Sequence, residues 1–225
     1  MSIIYEERPS DAPFVQSVAR IQAERDGFSL IPADGHWYLY ITTLNGKTTF
    51  TVGGPITKAL SLPHAAGAES VGIRLRLGTF MPHLPVKLLV DGVITLPDAS
   101  SQSFWLNSSA WQFPTLDNAE TFVGRLVRTG ILVCEPVIDA ALQGDTSNLS
   151  VRSVQRRFLQ ATGLTPVLIR QIERARHATA LLQQGDSISD AVYTAGYFDQ
   201  AHLTHALKRF MGQTPAQIAR PTSPP

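Results

Sequence analysis

The 225-residue chain is 44% hydrophobic and 16% charged with a formal net charge of +1, an ordinary globular composition with room for one large core or two small ones. No run approaches the ~18–20 apolar residues of a membrane span, and no basic-then-apolar signal pattern opens the chain, so no membrane partner is expected. The single Cys134 excludes an internal disulfide, suits a reducing cytosol and reads as a small buried apolar side chain.

Up to about residue 95 the pattern is that of strands. His36–Thr43 (HWYLYITT) puts Trp37, Leu39 and Ile41 on one side and Tyr38 and Tyr40 on the other. Gly72–Leu77 (GIRLRL) alternates Ile73, Leu75 and Leu77 with Arg74 and Arg76. Both carry the period-two signature of a half-buried strand. Asn45-Gly46, ahead of Lys47–Val52, is a hairpin-turn dipeptide, and Gly53-Gly54-Pro55 redirects the chain before a further strand. Short helical turns are expected near Phe80–Leu84 and Val86–Val90. The serine-bearing stretch from Pro97 to Pro114 reads as a loop packed down by Phe104, Trp105 and Trp111. From Asp117 onward Phe122, Leu126 and Val127 take helical spacing. We therefore expect a β-rich domain over 1–112, a helical linker over 113–133 and an all-α domain over 134–221.

The second half is punctuated as short helices. Ser150 precedes one and Gly163 closes it; Thr165-Pro166 opens a longer one that Gly185 ends. Ser187 with Asp190 resembles a capping box closed by Gly196. Asp199 caps the next helix, Gly212 stops it, and Thr214-Pro215 starts a last one ahead of a frayed Pro-Thr-Ser-Pro-Pro tail. Compact helices joined by tight turns are helix-turn-helix material.

Two of these helices carry side chains that can read DNA. In Val151–Thr162 an apolar stripe of Val151, Val154, Phe158 and Ala161 is set against Arg152, Gln155 and Arg156, with Arg157 to one side. Arg can donate two bonds to guanine and Gln can pair with the adenine edge. After Asp199, Leu203, Leu207 and Phe210 face inward, and Gln200, Ala201, Thr204 and His205 are exposed near the start. Lys208 and Arg209 sit where phosphates would lie. Net charge gives little support. Residues 1–133 hold ten Lys/Arg against eleven Asp/Glu, and the remainder nine against seven, a weak footprint for a DNA binder. A solvated helix face explains either stripe taken alone.

Order and spacing decide. The run GYFDQAHLTHALKRFMGQTPAQIAR, Gly196–Arg220, resembles the signature of the AraC/XylS family of transcription regulators. Arg174, Ala178, Leu181 and Leu182 fit its connecting helix, and SVRSVQRRFLQATGLTP fits its first recognition helix. The resemblance implies a bacterial, cytoplasmic, nucleoid-associated, non-enzymatic regulator. Two helix-turn-helix units, held by the connecting helix, would place their recognition helices in successive major grooves ~34 Å apart. Carried over by position, the base readers are Arg152, Gln155 and Arg156, then Gln200, Ala201, Thr204 and His205. His205 stands where the family often has Arg. The first unit lacks the usual Ala-x3-Gly scaffold spacing, because DTSNL separates Gly144 from Ser150; its scaffold helix falls near Pro136–Leu142. RPSDAPF, VGGP and VGIRLRLGTF resemble an uncharacterised domain of actinobacterial-type regulators, which implies a β-rich, cupin-like sensor or dimerisation fold.

The fold class is thus α+β, a β-rich domain followed by an all-α double helix-turn-helix domain. Operator DNA is the expected partner; a small-molecule effector, a second copy of the chain and RNA polymerase are the further partners this reading admits. No cofactor, catalytic residue or metal site is assigned. The rival reading is a cupin-type binder of a small molecule or metal whose helices no longer bind DNA, but His36, His64 and His83 show no His-x-His spacing. A DNA-repair alkyl acceptor would need a cysteine cluster. If Trp37, Leu39 and Ile41 fill a core, Tyr38 and Tyr40 need cover from a strand layer, a second subunit or a ligand.

Overall fold

A computed structural model describes residues 3–145 and 149–220. The first half is built on a six-stranded antiparallel sheet ordered β1-β2-β7-β4-β5-β9. Its strands are β1 (Ile3–Pro9), β2 (Val15–Ala23), β4 (Tyr38–Leu44), β5 (Lys47–Gly53), β7 (Glu69–Leu75) and β9 (Val93–Thr95). β3 (Gly27–Ile31) and β6 (Leu60–His64) form a separate ribbon. β10 (Asp98–Ser100), β11 (Ser103–Leu106) and β12 (Ser109–Gln112) form a meander, and α1 (Val86–Leu89) and α2 (Ala119–Arg128) complete this half. β8 (Thr79–Phe80) pairs with the two-residue β13 (Val133–Cys134).

The sheet follows from the alternation. Leu39, Ile41, Phe50, Val52, Ile73 and Leu75 are all buried on one face. Asn45 and Gly46, at φ 52° and 76°, make the two-residue turn that matches the twist of β4 and β5. The inner face is closed by aromatic packing. Phe104 stacks on Phe50 with ring centroids 4.0 Å apart, and Phe122 of α2 meets Phe50 edge-on at 5.8 Å.

Three local expectations change. The Pro97–Pro114 stretch is the β10–β12 meander, with Phe104 and Trp111 buried and Trp105 exposed. Phe80 lies in β8 and begins no helical turn, because its backbone pairs with Val133. Cys134 is exposed on the short edge strand β13, so its thiol is no core side chain.

The cover over Tyr38 and Tyr40 comes from the chain itself. The two rings stack at 5.7 Å, and a Cβ added at Gly53 or Gly72 would sit 3.4 Å from the Tyr40 ring. Missing side chains at those two positions therefore leave the ring its bed on the sheet. The Tyr38 hydroxyl donates to Asp34 at 2.5 Å. The same carboxylate takes Arg74 at 2.8 Å and, from the second half of the chain, Arg176 at 3.2 Å. Burial pushes the Asp34 carboxyl up, but the surrounding charges and the Tyr38 bond hold it below the usual carboxylate range. Burial keeps His36 below its ordinary pKa, so at neutral pH the two guanidiniums supply that charge.

The second half is helical: α3 (Val137–Leu142), α4 (Val151–Thr162), α5 (Pro166–Gln183), α6 (Ile188–Thr194), α7 (Gln200–Met211) and α8 (Pro215–Ile218). The caps fall where the side chains dictate. Ser150, Thr165, Ser187, Asp199 and Thr214 each accept a backbone N–H of the first turn, and Thr214 with Gln217 completes a capping box. Val154, Phe158 and Ala161 are buried, whereas Val151 is 75% exposed: as the first residue of α4 it lies beyond the packed face. The Pro-Thr-Ser-Pro-Pro tail and part of the DTSNL segment lie outside the described residues. Among the described residues no helix is long and apolar enough to cross a membrane.

Candidate nucleic-acid interface

Two helix faces stand clear of the rest of the chain. On α4, Arg152, Gln155 and Arg156 are exposed and form one open surface with Ser150, Ser153 and Leu159. On α7, Gln200, Ala201, Thr204, His205 and Lys208 form another. The opposite faces are anchored by Phe158 on α4 and by Leu203, Leu207 and Phe210 on α7. Each helix is therefore held by one stripe and offers the other.

The first set comes together as the spacing requires. Arg157, on the flank, is turned away: its guanidinium donates to Glu135 at 2.9 Å. In the second set Arg209 is the exception. Its guanidinium lies 4.9 Å from the centroid of the Phe210 ring, a cation–π contact that draws it along the helix surface. Thr204 is half-buried and spends its hydroxyl proton on the carbonyl of Gln200 at 2.8 Å, leaving its lone pairs to accept from a base edge.

Pattern reading missed several contributors. Ser150 and Ser153 are hydrogen-bonded to each other at the start of α4, beside the exposed Arg152, Gln155 and Arg156. Tyr193 and Phe198 are 88% and 91% exposed around the turn that leads into α7; an apolar side chain so exposed is a signal that only three-dimensional packing reveals. The turn itself is stiffened by Arg174, which stacks over Tyr197 at 4.5 Å and donates to the carbonyl of Gly196 at 3.4 Å.

Residues 145–220, about a third of the chain, match the family model of a helix-turn-helix domain. The chain is 32% identical over 88 residues to the HTH-type transcriptional regulator RipA of Corynebacterium glutamicum, covering 38% of this chain and 27% of that protein. The match thus spans about a quarter of the relative's length. Two solved structures of ToxT from Vibrio cholerae align over nearly the whole chain at low similarity. One has a TM-score of 0.44 at 8% identity, covering 96% of this chain and 97% of ToxT. The other, bound to (E)-4-(8-methylnaphthalen-1-yl)but-3-enoic acid, has a TM-score of 0.43 at 10% identity, covering 96% and 98%.

Proposed function

We propose that this chain is a sequence-specific, double-stranded DNA-binding transcription regulator that lays α4 and α7 in successive major grooves. The observation that carries the reading is the pair of exposed polar stripes, each on a helix whose apolar stripe is buried. Arg152, Gln155 and Arg156 read bases from α4, and Gln200, Ala201, Thr204 and His205 read them from α7; Lys208 and Arg209 lie nearer the phosphates. Arg suits guanine and Gln suits adenine because each can form two bonds to one base edge. The division into residues 1–112, 113–133 and 134–221 belongs to this reading, with DNA contact assigned to the last. The regulator acts without chemistry of its own, in the cytoplasm.

Residues 1–112 supply control, through a small molecule or a second chain. A groove of about 340 Å³ between the sheet and residues 113–116, with Arg20, Glu69, Thr43, Thr48 and Ser70 among its walls, has the size of a small-molecule site. Either input acts only if it favours one arrangement of the helices over another. RNA polymerase is the further partner of a regulator that activates.

The test is selection of duplexes from a random pool by the full chain. Enrichment of one motif is expected, with affinity falling steeply as salt rises because phosphate contacts release counterions. Binding no better than that to random DNA at physiological salt overturns the proposal.

A further inference from the structure

Helices α4 and α7 end in the same way. Each is closed by a glycine in the left-handed region, Gly163 at φ 69° and Gly212 at φ 74°, and each leaves its last carbonyls without helical partners. In both cases the first half of the chain takes up those ends. At α4, the indole N–H of Trp37 donates to the carbonyl of Ala161 at 2.8 Å. A Cβ on Gly163 would sit 2.5 Å from Val90 Cγ2. At α7, the backbone N–H groups of Ala33 and Ala59 donate to the carbonyls of Phe210 and Arg209 at 2.7 and 2.9 Å. A Cβ on Gly212 would sit 2.6 Å from Leu30 Cδ1.

One short segment touches all three parts of the helical array. Ala33 holds the end of α7. Asp34 takes Arg176 of the connecting helix α5 at 3.2 Å. Gly35 leaves room for Ile169, also of α5, whose Cγ1 would lie 3.6 Å from an added Cβ. Trp37 holds the end of α4. Ala33, Asp34, His36 and Trp37 are all buried, and Asp34 is tied further to Arg74 and Tyr38 of the sheet. The connecting helix packs on α6, α7 and α8 and reaches α3 through Arg170, which donates to the carbonyl of Ala141 at 3.2 Å, while α4 packs on α3, α1 and β8.

We infer that residues 33–37 are a brace that sets the distance and angle between the two recognition helices, so that the first half of the chain fixes the spacing of the DNA elements this protein accepts. The inference rests on the proposed DNA reading. Trp37 and Arg176 are positioning residues that touch no base. Inserting two base pairs between the half-elements moves one by ~7 Å and turns it by ~70° around the duplex. A braced pair cannot follow, whereas a loosened pair can.

The test uses the full chain, Trp37→Phe, Arg176→Gln and the double variant. Trp37→Phe keeps an aromatic ring and removes the N–H donor together with part of the indole's volume, whereas Arg176→Gln leaves the buried core untouched. Spin labels at Gln160→Cys and Lys208→Cys, in a Cys134→Ser background, report the distance between α4 and α7 without DNA. The unvaried brace is expected to give one narrow distribution, and the variants a broader one. On the selected duplex, a two-base-pair insertion is expected to cost the unvaried protein roughly tenfold or more in affinity, the scale of one or more lost base contacts. The variants should lose about threefold or less. An unchanged label distribution overturns the brace. A broadened distribution with an unchanged insertion penalty overturns its role in spacing. If no sequence is selected at all, the DNA reading fails and the label distances alone decide whether the brace exists.

Discussion

The two helices that face outward rest on different supports. α7 packs on α5, α6 and α8, its turn is stiffened locally by Arg174 on Tyr197, and only its last carbonyls are taken up by the first half of the chain, through Ala33 and Ala59. α4 packs on α3, α1 and β8, and the latter two belong to the first half of the chain. Its core residue Phe158 joins an apolar cluster that runs without a break from Phe50 and Phe104 of the sheet side to Leu203 and Phe210 of the helical side. The contrast teaches that two similar exposed helix faces can lean on the first half of one molecule to different extents, α4 along its packed side and α7 at its end.

The sharpest way to break this contrast is to hollow each support. Phe158→Ala should cost ~3–5 kcal/mol and Leu207→Ala ~2–5 kcal/mol, the range for fully buried side chains cut to a methyl. Where the damage spreads matters more than its size. By hydrogen exchange, Phe158→Ala is expected to loosen α1 and β8 along with α4, while Leu207→Ala loosens α5 to α8. Damage from Phe158→Ala confined to α4 would mean that the first helix pair stands independently.

How much of this was legible in the sequence depends on the range of the interactions. Helix starts and stops were readable because caps act over three residues: Ser150, Thr165, Ser187, Asp199 and Thr214 each bond within their own first turn. The Asn45-Gly46 hairpin was readable for the same reason. The β10–β12 meander was not, because its strands are three or four residues long and serine-rich, and their pairing is set by Phe104 packing onto Phe50. The exposed stripes of α4 and α7 followed from helical period, but the turning aside of Arg209 onto Phe210 did not. Cover for Tyr38 and Tyr40 was foreseen as a need, and its source was hidden because Asp34 and Arg176 are separated by 142 positions. Trp37 read simply as a core residue; its bond to Ala161 spans 124 positions and no local pattern announces it.

A smaller effect sharpens the comparison on the DNA side. Arg156→Ala is expected to cost ~1–3 kcal/mol on the selected site and to relax preference at one or two base pairs. Lys208→Ala should weaken all sequences about equally and reduce the salt slope by ~1. Quantitative binding to single-base variants of the site at several salt concentrations separates the two. A reversed pattern would mean that these helices lie rotated in the groove.

The smallest expected effect concerns pH and the segment that joins the two halves. Burial lowers the pKa of His36, against the opposing pull of Asp34, and its Nδ1 lies 2.7 Å from the carbonyl of Leu75. The folded protein therefore resists protonation that the unfolded chain accepts. Its stabilising contribution is complete above the ordinary histidine value of ~6.5 and is lost as pH falls below that toward the folded value. Burial lowers His83 as well, so His36→Gln should flatten the decline in melting temperature between about pH 7.5 and 5.5 without abolishing it. An unflattened decline would show that His36 is not held neutral at the interface.

The most direct test of the central claim is a hydroxyl-radical footprint of the full chain on its selected duplex. Two helices reading successive major grooves on one face should give protected patches about one helical turn, ~34 Å, apart. Removing the α4 side chains Arg152, Gln155 and Arg156 should erase one patch and leave the other. A single patch, or protection that is uniform and independent of sequence, would contradict the account.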